Sequence, residues 1–113
     1  MSKNTPTRKK RKDRNHLIYL LTCEETNDQY IGVTVMKPGG KWKTLRARWH
    51  SHLYAAKTKN ETWGLSAAIR KYGEESFTLS ILDAIRGKAA AFALEAALIN
   101  EYQTSLNTRR KLI

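Results

Sequence analysis

The 113-residue chain has little of what several protein classes require. Its one cysteine, Cys23, allows no internal disulfide and no four-cysteine zinc site, and three histidines are too few to replace one. The longest mostly apolar stretch, residues 89–99, is interrupted by Glu95 and is too short to span a bilayer. No apolar run of signal-peptide type follows the basic N-terminus, so we expect a soluble protein of the cytoplasm.

Acidic residues are scarce as well. The chain has 21 Lys and Arg against 10 Asp and Glu, a formal net charge of +11, and residues 1–16 contain seven of the basic residues. Residues 1–15 show no apolar periodicity and predict a flexible basic arm, followed by one domain over residues 16–113. A solubilising tail or a nuclear-import signal would have the same composition. The arm residues predicted to bind nucleic-acid phosphates are Arg8, Lys9, Lys10, Arg11, Lys12 and Arg14.

Apolar periodicity predicts three strands and three helices in the order β-β-α-α-β-α. The first two strands flank a short polar connection and predict a β-hairpin, and the first strand is apolar on both faces, which indicates a central strand. The predicted elements are strands over residues 16–22, 29–35 and 77–85, and helices over residues 43–57, 62–72 and 88–103.

Two strand tyrosines and a glycine form the first candidate group. If Tyr19 pairs with Gly32, then Tyr19 and Tyr30 project from the same face of the sheet. Gly32 has no side chain and would leave open space beside Tyr19. A strand tyrosine taken alone more often packs with its hydroxyl toward solvent, which is the simpler interpretation of each.

The helix over residues 43–57 contains two Arg/His pairs spaced i,i+4. A helical wheel places Arg48 and His52 beside the buried stripe, and Arg46 and His50 well away from it. Arg48 could neutralise charge on a phosphorane, and His52 could transfer a proton near neutral pH. We assign Arg46 and His50 to solvent or to backbone phosphates. A basic, solvated helix is the alternative.

Glu95 is the sole charged residue on the apolar side of the last predicted helix, three residues after Phe92. Because burying a bare carboxylate is costly, Glu95 needs a partner or a metal ion. Mg²⁺ is bound by one or two carboxylates together with water and phosphate oxygens. A salt bridge to an arginine such as Arg48 is the alternative, and the two are compatible.

In their order and spacing, these segments resemble the GIY-YIG nuclease family from residue 16 to about residue 107. The first glycine of the family signature is replaced by Leu17. The motifs are, in chain order, LIY at 17–19, YIG at 30–32, RWHSHL at 48–53, LSAAIRKYG at 65–73 followed by Phe77, and Glu95 with Ile99 and Tyr102.

The resemblance implies an α+β fold in which helices flank a three-stranded antiparallel sheet. It also implies hydrolysis of DNA phosphodiester bonds with one divalent ion, Mg²⁺ or Mn²⁺. The roles it implies are activation of the attacking water by Tyr19 or Tyr30, transition-state stabilisation by Arg48, proton transfer or support of a tyrosine by His52, metal binding by Glu95, and a site contact by Asn107.

We therefore expect a DNA endonuclease that nicks or cuts both strands, with low or modest sequence specificity or with specificity obtained through a homodimer. Since a free phenol has a pKa near 10, we expect Arg48, other basic residues and the metal to lower the pKa of the catalytic tyrosine. A catalytically silent nucleic-acid-binding protein is the alternative, and a small ribosomal RNA-binding protein would fit the charge but not Glu95. A small nuclease of this kind suggests a phage origin and action in the host cytoplasm.

Overall fold

The computed structural model describes residues 14–58 and 64–107 of the chain. Its helices and strands confirm the predicted order and the α+β fold class. Two short 3-10 turns, at Glu74–Ser76 and Ser105–Asn107, follow the second and third helices. The elements are β1 (Asn15–Cys23), β2 (Gln29–Val35), α1 (Lys41–Thr58), α2 (Gly64–Tyr72), β3 (Phe77–Arg86) and α3 (Lys88–Tyr102).

The element ends lie within two residues of their predicted positions. Gly73 ends α2 as expected, with a φ of 89° that favours glycine over other residues. Thr62, the predicted N-cap of α2, and the predicted basic arm up to residue 13 lie outside the described residues. Within residues 14–58 and 64–107, no helix is both long enough and apolar enough to cross a membrane.

The sheet has the strand order β2-β1-β3, and both neighbours of β1 run antiparallel to it. β1 is thus the central strand, as its apolar character on both faces predicted. Tyr19 lies opposite Gly32 and Leu21 lies opposite Tyr30, so both tyrosines project from one face. The register between β1 and β3 shifts between Ile18 and Tyr19.

Alternate residues of β1 supply two separate cores. On one face the sheet packs against α1 and α2 through Leu17, Tyr19, Leu21, Cys23, Leu45, Trp49, Ala56, Leu65 and Ile69. On the other face it packs against α3 through Ile18, Leu20, Ile31, Leu94, Leu98 and Ile99. Arg48 and His52 on α1 therefore approach the sheet from one side, and Glu95 on α3 approaches it from the other.

Helix α1 is held at its first turn by a buried hydroxyl. Thr44 is fully buried, and its side chain accepts a hydrogen bond from the Lys37 N–H and donates one to the Gly40 carbonyl, both 2.9 Å long. The helix then buries Leu45, Trp49 and Ala56. These contacts fix the direction in which the polar side chains of α1 leave the helix.

The expectation that Phe92 lies on the packed side of α3 is wrong. Its side chain is 43% exposed, while the neighbouring Ala91 is fully buried. Leu94 and Leu98 of the same helix pack against the sheet. The packed stripe of α3 is therefore rotated from the predicted one, and a large aromatic ring is left at the surface.

Candidate active site

The phenol of Tyr19 lies directly over Gly32 of the neighbouring strand. Tyr19 is fully buried, and a Cβ atom added at Gly32 would overlap its hydroxyl and ring. The open space expected beside Tyr19 is therefore filled by the ring of Tyr19 itself. Gly32 is needed here because of this close approach, which no larger residue permits.

Four of the five predicted catalytic residues meet around this phenol. The Tyr19 hydroxyl is 2.9 Å from His52 Nε2, and Arg48 Nε donates a hydrogen bond of 3.2 Å to the same oxygen. The Tyr30 ring lies 6.3 Å from the Tyr19 ring and 5.3 Å from the His52 ring, between centroids. The helical-wheel placement of Arg48 and His52 beside the sheet agrees with this geometry.

The protonation states give the hydrogen-bond chain a direction. Burial, reinforced by the charge of Arg48, lowers the pKa of His52 to about 4, so the imidazole is neutral at pH 7. Arg48 can only donate, which makes the Tyr19 oxygen its acceptor. We therefore assign the Tyr19 hydroxyl as donor to His52 Nε2, giving the order Arg48, Tyr19, His52.

The pKa of Tyr19 is raised, contrary to the expectation that its basic surroundings lower it. Burial is the largest cause, and the neighbouring phenol of Tyr30 adds to it. The hydrogen bond and charge of Arg48 act in the expected direction but are outweighed. Tyr19 is thus a neutral phenol at pH 7 and can accept a proton only while passing its own proton on.

Arg48 stays charged in this half-buried position. Burial alone disfavours the guanidinium charge, but the hydrogen bond to Tyr19 and the phenols of Tyr19 and Tyr30 outweigh it, and the pKa of Arg48 is raised. A fixed positive charge is therefore present beside the Tyr19 oxygen. Such a charge favours the binding of a phosphate.

Glu95 is half-buried on α3, whose neighbouring residues Leu94 and Leu98 pack against the other face of the sheet. Burial raises the pKa of its carboxyl group, and its charge in turn raises the pKa of Tyr19, so the two groups are close enough to interact. Within the described part of the chain Glu95 forms no ion pair, so the alternative of a salt bridge to Arg48 is not observed. No cluster of three or more His, Cys, Asp or Glu suited to a metal occurs among those residues either.

Asn107 supports the site through the backbone. Its side-chain Oδ1 accepts a hydrogen bond from the Ile31 N–H, and its Nδ2 donates one to the Ile31 carbonyl, both 2.8 Å long. The amide thus pairs with the outer edge of β2 between Tyr30 and Gly32. The resemblance implied a site contact by Asn107, but no local pattern indicated these bonds to Ile31, since the contact spans 76 residues.

Three of the eight residues predicted to bind nucleic acid lie in the described part of the chain, and all three are exposed. Arg46 and His50 are exposed on α1, and Arg46 lies about 160° around the helix axis from Arg48. Arg14 is exposed just before β1. The arm residues Arg8, Lys9, Lys10, Arg11 and Lys12 lie outside the described residues, and their role stays a prediction.

Comparison with known proteins identifies the family. The model of the GIY-YIG catalytic domain matches residues 15–110, which is most of the chain. Neither the curated proteins nor the solved structures contain a significant match. The matched range includes both strand tyrosines, Gly32, Arg48, His52, Glu95 and Asn107. The chain belongs to the GIY-YIG family and carries a nuclease-type catalytic domain.

Proposed function

We propose that this protein is a divalent-metal-dependent endonuclease that hydrolyses phosphodiester bonds in DNA. The observation that carries the proposal is the hydrogen-bonded chain from Arg48 through Tyr19 to His52, packed against Tyr30. It supplies a fixed cation and a proton acceptor at one buried phenol, in a chain with a net charge of +11. Phosphoryl transfer requires these two kinds of group at the reacting phosphorus.

The neutral phenol of Tyr19 serves as a relay. Its oxygen accepts one hydrogen bond from Arg48 and retains a second acceptor position. Because Tyr19 is fully buried, the attacking water reaches that position only when the side chains that cover it move apart. As the water oxygen bonds to phosphorus, its proton moves to Tyr19 Oη while the Tyr19 proton moves to His52 Nε2. Because the pKa of His52 is about 4, the imidazolium returns its proton readily to the leaving oxygen or to solvent.

Arg48 stabilises the transition state in this proposal. Its guanidinium lies within 3.2 Å of the phenol that receives the water proton, so a phosphate attacked there would contact it. Negative charge grows on the phosphoryl oxygens as the pentavalent state forms. A pre-positioned cation in a partly buried site stabilises that charge without reorganisation.

Glu95 fits the binding of a divalent ion. Its half-buried carboxylate has no ion-pair partner among the described residues, and burial raises its pKa, so a cation would relieve an uncompensated charge. One carboxylate suffices for Mg²⁺ or Mn²⁺ when phosphate and water complete the coordination. A bound ion would supply positive charge to the phosphoryl oxygens. We extend the proposal to one ion per site and to low or modest sequence specificity, or specificity obtained by dimerisation.

The proposal is tested by plasmid cleavage with wild-type protein, Glu95→Gln and Glu101→Gln in Mg²⁺, Mn²⁺ or EDTA. Glu101 is a matched control because it is an exposed carboxylate on the same helix. We expect wild type and Glu101→Gln to nick or linearise supercoiled DNA with either ion. Glu95→Gln should be at least about 100-fold slower, and EDTA should stop the reaction.

Two outcomes would contradict the proposal. Cleavage that survives both EDTA and Glu95→Gln would show that the reaction needs neither a divalent ion nor the carboxylate of Glu95. Wild-type protein that binds DNA but cuts none with either ion would be a nucleic-acid-binding protein that uses the fold without catalysis.

A further inference from the structure

A groove of about 900 Å³ opens at the N-terminal end of α3, on the sheet face opposite Tyr19. Val33 and Val35 of β2 form one wall, and Phe92 and Lys88 of α3 form the other. Arg14 lies at its rim. None of the described residues that line the groove is acidic, so its charge is positive.

The position of Arg14 is fixed by two hydrogen bonds. Its carbonyl accepts them from His16 Nδ1 and from the Gly87 N–H, each 2.9 Å long. The bond from Gly87 joins the start of β1 to the residue that precedes α3. The residues predicted to bind phosphates, 8–12, immediately precede this anchored point in the sequence. Arg14, where the described part of the chain begins, therefore lies at the groove.

The wall formed by β2 presents backbone donors. β2 is an edge strand, and both backbone groups of Ile31 face outward to Asn107. Because outward-facing positions alternate along an antiparallel strand, the N–H groups of Val33 and Val35 also face outward. They have no hydrogen-bond partner among the described residues. Free amide N–H groups of this kind can donate to phosphate oxygens.

The opposite wall continues along α3 to Glu95, the candidate metal ligand. Lys88 and Glu95 are seven residues apart, so they lie on one face of α3 with about 10 Å of helix between them. Phe92 lies between them, and Lys88 Nζ is 5.9 Å from the centroid of its ring. The separation of about 10 Å between Lys88 and Glu95 corresponds to about three nucleotides of a stacked strand, at about 3.4 Å per nucleotide.

We propose that this groove binds a single-stranded segment of nucleic acid that continues along α3 toward Glu95, an inference that rests on the proposed function. Arg14, Lys88 and the edge of β2 bind phosphates, and the exposed ring of Phe92 stacks on a base. A volume of about 900 Å³ is suited to a few nucleotides of one strand. Cations around a stacking ring are the usual components of a single-strand site.

The test uses binding by the Glu95→Gln protein, without metal, to a ten-nucleotide single-stranded DNA that contains one 2-aminopurine. We expect Phe92→Ala to weaken binding at least about 5-fold and to abolish quenching of the probe, because a stacking partner is lost. Lys88→Ala should reduce the slope of log K against log salt by about 0.7, which is one phosphate contact on a single strand.

Two matched controls lie elsewhere on the surface. Trp42→Ala removes an aromatic ring on α1 that is 52% exposed, and Lys71→Ala removes an amine 5.4 Å from the centroid of the Tyr72 ring. Neither residue lines the groove, so we expect both variants to bind the oligonucleotide as their parent does.

Unchanged binding, quenching and salt slope in Phe92→Ala and Lys88→Ala would overturn the proposal. Loss of self-association in those variants, with oligonucleotide binding unchanged, would also overturn it, because a second copy of the chain would then occupy the groove. The endonuclease proposal fails separately, since this binding assay requires no cleavage. If the protein binds the oligonucleotide through Phe92 but cuts no plasmid, the groove proposal holds and the endonuclease proposal is wrong.

Discussion

Replacing Gly32 by alanine tests the close approach on which the candidate site depends. The new Cβ atom would lie well inside van der Waals contact with the hydroxyl and ring of Tyr19. Normal contacts are about 3.5–4.0 Å long, so the ring must move by about 1 Å or more. That movement breaks the hydrogen bonds of 2.9 Å to His52 and 3.2 Å to Arg48.

The structure allows the size of the effect to be worked out. Overpacking a buried site costs about 1–3 kcal/mol, and each lost hydrogen bond costs about 0.5–1.5 kcal/mol. The free energy of unfolding should therefore fall by about 2–6 kcal/mol, measured by urea denaturation. Activity per folded molecule should fall by at least about 100-fold, because a displacement of 1 Å in a catalytic group has that effect.

Two further variants separate the collision from a general backbone effect. Gly40→Ala introduces strain of about 1–2 kcal/mol, since Gly40 has a φ of 98°, but its Cβ would meet no neighbouring atom. It should lower stability and leave the activity of the folded protein unchanged. In a Tyr19→Leu background, Gly32→Ala should cost much less than alone. A fully active and fully stable Gly32→Ala protein would refute the reasoning.

The other predictions concern pH and the edge of the sheet. Burial and Arg48 lower the pKa of His52 to about 4 from about 6.5 in the unfolded chain, so the unfolded state binds more protons between these values. The free energy of unfolding should fall by up to about 3 kcal/mol as pH drops from 6.5 to 4. His52→Gln should remove this pH-dependent loss. A His52 pKa above 6, measured by NMR, would contradict the prediction. Asn107→Asp keeps the acceptor for the Ile31 N–H but turns a carboxylate oxygen toward the Ile31 carbonyl, so urea denaturation should show a loss of about 1–3 kcal/mol; unchanged stability would contradict the edge contact.

The fold followed from local patterns. Alternation with period two and the i,i+4 spacing of α1 are properties of consecutive residues, so strands, helices and the orientation of Arg48 and His52 could be predicted. The pairing of Tyr19 with Gly32 entered the sequence analysis as a condition, under which the two tyrosines share one face of the sheet. The confirmed register meets that condition.

The rest depends on contacts between distant segments. The pKa of Tyr19 is raised mainly by burial, which depends on how closely α1 covers the ring. The sequence indicated only the basic neighbours, which lower the pKa. The bonds from Asn107 to Ile31 join residues 76 positions apart. The exposed side of α3 depends on which face of the sheet it covers, so the position of Phe92 was predicted wrongly.

Tyr19 is at once the centre of the candidate site and a fully buried member of the core between the sheet and α1. Evolution therefore cannot tune the reaction and the folding of this domain as separate traits. A substitution that repacks Leu45 or Trp49 for greater stability also shifts the hydroxyl of Tyr19, the proposed proton relay. Conservative substitutions that most hydrophobic cores tolerate would affect function here. We therefore expect the residues packed around Tyr19 to change more slowly among descendants of the chain than the exposed faces of its helices.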